Sequence, residues 1–160
     1  MIRNEHLKPR TEPISVGEAA PDFTLLDQDR REVRLSDLLK ERGRVVLSFY
    51  PMDFTSVCTG EMECFTADKP RFEKVGAALV GVSCDSFATH KAFAEQSKLE
   101  LTLLADMHRE VCKAYGLYWA DLNVASRGTV VIGSDGAVKW VSAREPGDQI
   151  KNADLLSHVG

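Results

Sequence analysis

The feature that most constrains this chain is the run Val45-Val46-Leu47-Ser48-Phe49-Tyr50, apolar almost throughout, rich in β-prone residues and stopped by Pro51. Such a run reads as a strand covered on both faces, and a strand of that kind needs helices or sheets on either side of it. The pattern then repeats. Ala78 to Ser83 reads as a second strand, Asp85 or Ser86 as a cap, Phe87 to Gln96 as a helix and Leu101 to Leu104 as another strand. Strands alternating with helices imply an α/β layered fold.

The flanking segments fit around that centre. Phe23 to Leu26 and Glu32 to Leu35 are extended runs on either side of the polar stretch from Asp27 to Arg31, which suggests an N-terminal hairpin, with Ser36 as the N-cap of a short helix. A shorter helix is expected around His108 to Tyr115. Strands at Thr129 to Ile132 and Val138 to Val141 are joined through Ser134-Asp135-Gly136, and a terminal helix lies near Gln149. Residues 1–13 carry charges and two prolines without a hydrophobic period and read as a loose arm or irregular extension. At 160 residues, with no internal repeat, residues 1–160 are expected to form one domain with one site.

Lysines and arginines number 20 and aspartates and glutamates 24, a net charge of −4 spread without a block of like sign, so neither nucleic acid nor an anionic membrane is the expected partner. No stretch approaches the roughly 20 apolar residues of a membrane span, and the polar start lacks the apolar core of a secretory signal. The expectation is a soluble, cytoplasmic protein. The cysteines at 58, 64, 84 and 112 are few and irregularly spaced, which favours redox chemistry or burial over a framework of structural disulfides.

Cys58 stands out by its context. The segment from Phe49 to Cys58 runs strand, proline, short loop, cysteine, and a helix is expected to begin near Thr55 to Val57 and continue past Phe65, since Met62, Phe65 and Phe72 recur at helical spacings. A cysteine in a first turn meets unpaired backbone N–H groups and the positive end of the helix dipole, both of which favour a thiolate. Reduction of a peroxide needs a thiolate to attack one oxygen while the other departs with negative charge. Thr55, three residues earlier, is an expected N-cap whose hydroxyl can fold back toward the sulfur and bond a peroxide oxygen. Pro51 can shield the pocket without offering a competing N–H.

The pattern Pro51-x-x-x-Thr55-x-x-Cys58 resembles the active-site motif of the peroxiredoxin (AhpC/TSA-like) family. The segments Val82-Ser83-Cys84-Asp85-Ser86, Ala114-Tyr115-Gly116-Leu117 and Ser126 to Ile132 also resemble family segments, so the likeness runs from about Val16 nearly to the end. It implies a thioredoxin-like central mixed sheet with flanking helices and no metal or flavin cofactor. It further implies that Arg127 points its guanidinium at Cys58 and the peroxide, oriented by Glu61, and that the chain is a homodimer. The implied activity is thiol-dependent reduction of hydrogen peroxide and organic hydroperoxides, with thioredoxin, a glutaredoxin-type protein or a low-molecular-weight thiol as reductant.

The thiol that resolves the Cys58 sulfenic acid is left open. No cysteine follows Cys112, which removes resolution by a partner subunit's C-terminal cysteine. Cys64 lies six residues on, about 9 Å along an intact helix and on a different face. The bacterioferritin-comigratory branch often places a resolving cysteine five residues on, so this spacing departs by one. Cys84 follows the strand Ala78 to Ser83, whose end would lie at the active-site edge of the sheet if that strand neighbours Val45 to Tyr50, and Cys112 lies on a helix at no stated distance. The cut of the chain, including Arg144 to Asp148, looks most like the one-cysteine, AhpE-like branch, in which an external thiol does the work.

Taken singly, each residue has a plainer reading: Cys58 a buried apolar group, Arg127 a surface charge or ion-pair member, Glu61 a helical surface carboxylate, His90 a pocket or helix-face residue. His108 with Cys112, or Cys84 with His90, lack the paired close spacings of a zinc site. A disulfide oxidoreductase is disfavoured because Cys58-Thr59-Gly60-Glu61 lacks the second cysteine of C-x-x-C. The alternative outside catalysis is a redox sensor or holdase-like scaffold with little turnover.

Overall fold

In the computed structural model, which describes residues 2–160, strands β1 (Thr24–Leu26) and β2 (Glu32–Arg34) pair antiparallel with Leu25 opposite Val33. Asp27 makes the connection tight, because one carboxylate oxygen accepts from the N–H groups of both Asp29 (2.8 Å) and Arg31 (2.9 Å). Helix α1 (Leu35–Arg42) follows directly, with Arg34 rather than Ser36 at the N-cap position. Ser36 instead lies inside the first turn and donates its N–H to the carboxylate of Asp22, which comes from the loop before β1 and takes over the capping task.

The apolar run forms β3 (Arg44–Phe49), buried from Val45 onward. A long helix, α2 (Ser56–Lys74), returns the chain to β4 (Ala77–Ser83), and α3 (Phe87–Gln96) leads to β5 (Thr102–Ala105). Helix α4 (Glu110–Ala114) is followed by a small ribbon of β6 (Tyr118–Trp119) and β7 (Val124–Ala125), which the sequence pattern does not announce. The hairpin β8 (Gly128–Ile132) and β9 (Val138–Ala143) and the terminal helix α5 (Asn152–Ser157) complete the chain. The order across the sheet is β2-β1-β5-β4-β3-β8-β9, with β3, β4 and β5 parallel and the outer pairings antiparallel. This is the mixed thioredoxin-like sheet with flanking helices that was expected.

Alternation along β3 divides the core in two. Val45, Leu47 and Phe49 pack with Val80, Val82, Val111 and Cys112 on one face, whereas Val46 and Tyr50 pack with Cys58, Met62, Phe65 and Phe93 on the other. Helix α2 runs straight through Pro70, a residue that removes a helical hydrogen bond at a cost of roughly 3 kcal/mol. Full burial of Met62, Phe65 and Phe72, each contributing about 1.5–3 kcal/mol, more than offsets that loss. The helix therefore outlasts its own breaker.

Residues 2–13 have no helix or strand, but they are fastened. Asn4 is buried and reads Thr24 twice, accepting from its N–H at 2.9 Å and donating to its carbonyl at 3.0 Å, while Arg10 N–H reaches the Lys113 carbonyl. Gly116 makes this docking possible: its φ is 69°, and a Cβ there would collide with the Glu12 backbone. Gly116→Ala is expected to cost about 2–4 kcal/mol in urea denaturation and to open residues 2–13 to limited proteolysis.

Candidate active site

Cys58 sits in the first turn of α2, two residues after Ser56 opens the helix and Thr55 takes the N-cap position. The first i to i−4 bond is Thr59 N–H to Thr55 carbonyl at 2.9 Å, so the N–H groups of Val57 and Cys58 have no intrahelical acceptor. The Thr55 side chain does not cap them. Its hydroxyl donates to the Met52 carbonyl at 2.7 Å, a bond that commits the hydrogen and leaves the oxygen able only to accept. Thr55 is exposed, while Pro51 is buried beneath the loop.

Arg127, the residue before β8, brings its guanidinium to the sulfur. One terminal nitrogen donates to Cys58 Sγ at 2.9 Å, the other to Glu61 Oε1 at 3.0 Å, and Nε donates to the Pro146 carbonyl at 2.8 Å. The residue is 1 % exposed, so this cation is held in the interior by those three acceptors. Glu61, one turn beyond Cys58 on α2, is fully buried and shared. Its second oxygen accepts from Arg144 at 3.3 Å and from Ile150 N–H at 3.1 Å.

Arg144 is the site residue that sequence reasoning passed over. Its remaining donors go to Thr129 Oγ1 (3.2 Å), Ser142 O (3.0 Å) and Asp148 O (3.0 Å). Burial works against its charge and lowers its pKa, with Glu61 opposing that effect. The signal was present in the hairpin: pairing Gly128 with Ala143 sets Arg127 opposite Arg144, whose N–H bonds the Arg127 carbonyl.

A second network holds the loop from below. Tyr50 hydroxyl donates to Asp53 Oδ1 at 2.6 Å, His90 Nδ1 meets Asp53 Oδ2 at 2.6 Å, and His90 Nε2 meets the Leu104 carbonyl at 3.1 Å. A carbonyl only accepts, so Nε2 carries a hydrogen. Asp53 N–H in turn donates to Asp85 Oδ2. Burial, with Asp53 nearby, raises Tyr50 well above the ordinary phenol range and keeps it a neutral donor. His90 thus lies beneath the loop that carries Pro51 and Thr55.

The other cysteines are not drawn to Cys58. Cys64 is exposed on the same unbroken helix, its sulfur accepting from Gln149 Nε2 at 3.4 Å. Strand β4 does neighbour β3, but Cys84 continues the face of Val80 and Val82, so it and Cys112 lie in the core on the opposite side of the sheet from Cys58.

A thiol at a helix N-terminus, held by a buried arginine and mounted on a thioredoxin-like sheet, defines a cysteine-based peroxidase. Comparison with known proteins gives the same class. The profile of the AhpC/TSA family matches residues 16–141. The chain is 35 % identical over 137 residues to alkyl hydroperoxide reductase E of Mycobacterium tuberculosis, covering 84 % of this chain and 89 % of the relative. It is 43 % identical over 131 residues to peroxiredoxin Q, chloroplastic, of Oryza sativa subsp. japonica, covering 80 % of this chain and 58 % of that protein. The crystal structure of peroxidoxin BcpB from Mycobacterium tuberculosis superposes with a TM-score of 0.82 at 31 % identity, over 91 % of this chain and 96 % of the other. The chain belongs to the AhpC/TSA family, and it is a peroxiredoxin: a thiol-dependent oxidoreductase that reduces hydroperoxides.

Glu61 is the anion on which the buried Arg127 and the half-buried Arg144 converge. Glu61→Leu is expected to lower stability by about 3–5 kcal/mol in urea denaturation, because it leaves the buried Arg127 and the half-buried Arg144 short of a partner, and Glu61→Gln is expected to lower it by less.

Proposed function

We propose that Cys58 is the thiol that attacks the hydroperoxide and that Arg127 is its principal electrostatic partner. The observation that carries this reading is the 2.9 Å approach of the Arg127 guanidinium to Cys58 Sγ in the interior. The Cys58 thiolate attacks one peroxide oxygen, the O–O bond breaks, and the departing alkoxide or hydroxide takes a proton, leaving a Cys58 sulfenic acid. Arg127 has donors to spare for the oxygen on which charge develops, and the unpaired N–H groups of Val57 and Cys58 add to that field. Thr55, its hydrogen given to Met52, offers lone pairs to the peroxide O–H. Pro51, buried in the same loop, lacks an N–H that could compete for the peroxide.

Resolution is assigned to an external thiol. Cys84 and Cys112 lie across the sheet, and Cys64 can meet Cys58 only if the first turns of α2 unwind. The reductant thiol condenses with the sulfenic acid, releasing water and forming a mixed disulfide. A second thiol then regenerates Cys58 and leaves as the disulfide. Thioredoxin, a glutaredoxin-type protein or a small thiol can fill that role. The apolar Met52 and Phe54, 41 % and 46 % exposed beside the site, offer a docking surface for a reductant or for the second subunit of a homodimer.

Reduced protein mixed with one equivalent of hydrogen peroxide and quenched is expected to carry the oxidation on Cys58 by peptide mass analysis. An unoxidised Cys58 would overturn the assignment. Cys58→Ser is expected to abolish turnover. Arg127→Lys, which keeps the charge and loses the fork, is expected to slow the peroxide step by roughly 10²–10³-fold in rapid-mixing assays. A variant lacking Cys64, Cys84 and Cys112 together is expected to keep turning over when a small thiol is supplied.

A further inference from the structure

The two thiols remote from Cys58 face each other. Cys84, just past β4, and Cys112, in α4, bring their sulfurs to 3.8 Å. Asp106, just past β5, joins them, so that one carboxylate oxygen and the two sulfurs all lie within 4.8 Å of one another. We propose that Cys84, Cys112 and Asp106 form a binding site for a thiophilic d10 cation of the zinc type, on the sheet face opposite the peroxide site.

The 3.8 Å spacing suits an S–H···S hydrogen bond in the metal-free thiols and also matches that of ligands sharing an ion. Two thiolates bound to tetrahedral zinc at about 2.3 Å each stand roughly 3.8 Å apart. A disulfide would need the sulfurs to close to about 2.05 Å. The three groups are also fixed relative to one another by the backbone. Strands β4 and β5 pair Ser83 with Ala105, Asp106 N–H donates to the Ser83 carbonyl at 2.8 Å, and the Asp106 carboxylate accepts from the N–H groups of Cys112 (2.7 Å) and Val111 (3.2 Å). Each carboxylate oxygen keeps a further lone pair for a metal.

Asp106 is 1 % exposed, and no ion pair among the described residues includes it. A carboxylate so deeply placed is ordinarily matched by a cation or a metal. A cavity of about 110 Å³ is lined in part by Asp106, beside Leu25, Phe87, Ala105 and Met107, and under this proposal it would serve as the route of entry. On binding, Cys84 and Cys112 exchange their S–H protons for bonds to the ion and release them to solvent. The ion would tie β4, β5 and α4 together.

The test uses the full chain carrying Cys58→Ser and Cys64→Ser, reduced and metal-free, titrated first with Co²⁺ and then with Zn²⁺. One equivalent of Co²⁺ with a sulfur-to-cobalt charge-transfer band and tetrahedral d–d bands, displaced by Zn²⁺ together with a rise in Tm, is the expected result. Cys84→Ala or Cys112→Ala in the same background is expected to weaken binding at least 100-fold, and Asp106→Asn to weaken it about tenfold or more. Peroxide oxidation of Cys58 at the ordinary rate in the single variants Cys84→Ala and Cys112→Ala establishes that they fold. Absence of a thiolate–cobalt band, retention of binding in the folded Cys84→Ala protein, or formation of a Cys84–Cys112 disulfide in preference to zinc binding would overturn the proposal.

Discussion

A guanidinium in the interior governs the arrangement of everything around it. Arg127 is buried to 1 % exposure, and burial of a full charge is tolerable only where acceptors surround it. They come from well-separated parts of the chain: Cys58 and Glu61 from α2, and the Pro146 carbonyl from the segment after β9. Arg144 adds a second cation on the same glutamate. With two arginines and one glutamate, the cluster closes to zero charge when the Cys58 sulfur is a thiolate. The fold and the chemistry therefore lean on the same interaction, since the network that secures the end of α2 against β8 and β9 is also the field in which the sulfur sits.

That dependence explains the division of labour between the two supports of the active-site loop. From above, the arginine network fixes the sulfur. From below, the chain of Tyr50, Asp53, His90 and the Leu104 carbonyl fixes the loop between β3 and α2. The first network carries charge and bears on reactivity. The second joins the ends of β3 and β5 and bears on position, which is why Thr55 can spend its hydrogen on Met52 and still hold its oxygen in place. A peroxide is small and weakly anchored, so placement of the groups around it accounts for much of the catalytic advantage.

Much of this was legible in the sequence, for identifiable reasons. The apolar run into Pro51 marked the central strand, and the alternation that follows marked the parallel β3-β4-β5 core, because period and punctuation are local signals. The positions of Cys58, Thr55 and Pro51 came from the same local signals. Arg127 came from resemblance alone, since nothing in the local pattern just before β8 announces a buried cation. Arg144 was missed, and His90, weighed as a pocket or helix-face residue, was not placed in the site, for a related reason. Their significance lies in partners 83 and 37 residues away, reached through hairpin register and helix packing that spacing does not encode. The cap of α1 failed on similar grounds, a local Ser36 being outcompeted by Asp22 from across the hairpin.

The four cysteines show how a sheet separates chemistries that a sequence lists together. Residue parity on β3 and β4 decides the face: Val46 and Tyr50 lead to Cys58, while Val80 and Val82 lead to Cys84. Once the parity is set, no side-chain rotation can bring Cys84 to Cys58, and a rigid sheet keeps them apart more firmly than distance along the chain would suggest. The sulfur under Arg127 stands at a helix N-terminus beside a loop whose Met52, Phe54 and Thr55 are exposed. The pair across the sheet has the opposite surroundings. There the hydrogen bond of Cys112 to Cys84, followed by its burial, raises its pKa above the ordinary thiol range and favours the protonated thiol. The same element that makes Cys58 reactive in one place is thereby kept inert in another, by geometry that follows from the alternation of two adjacent strands.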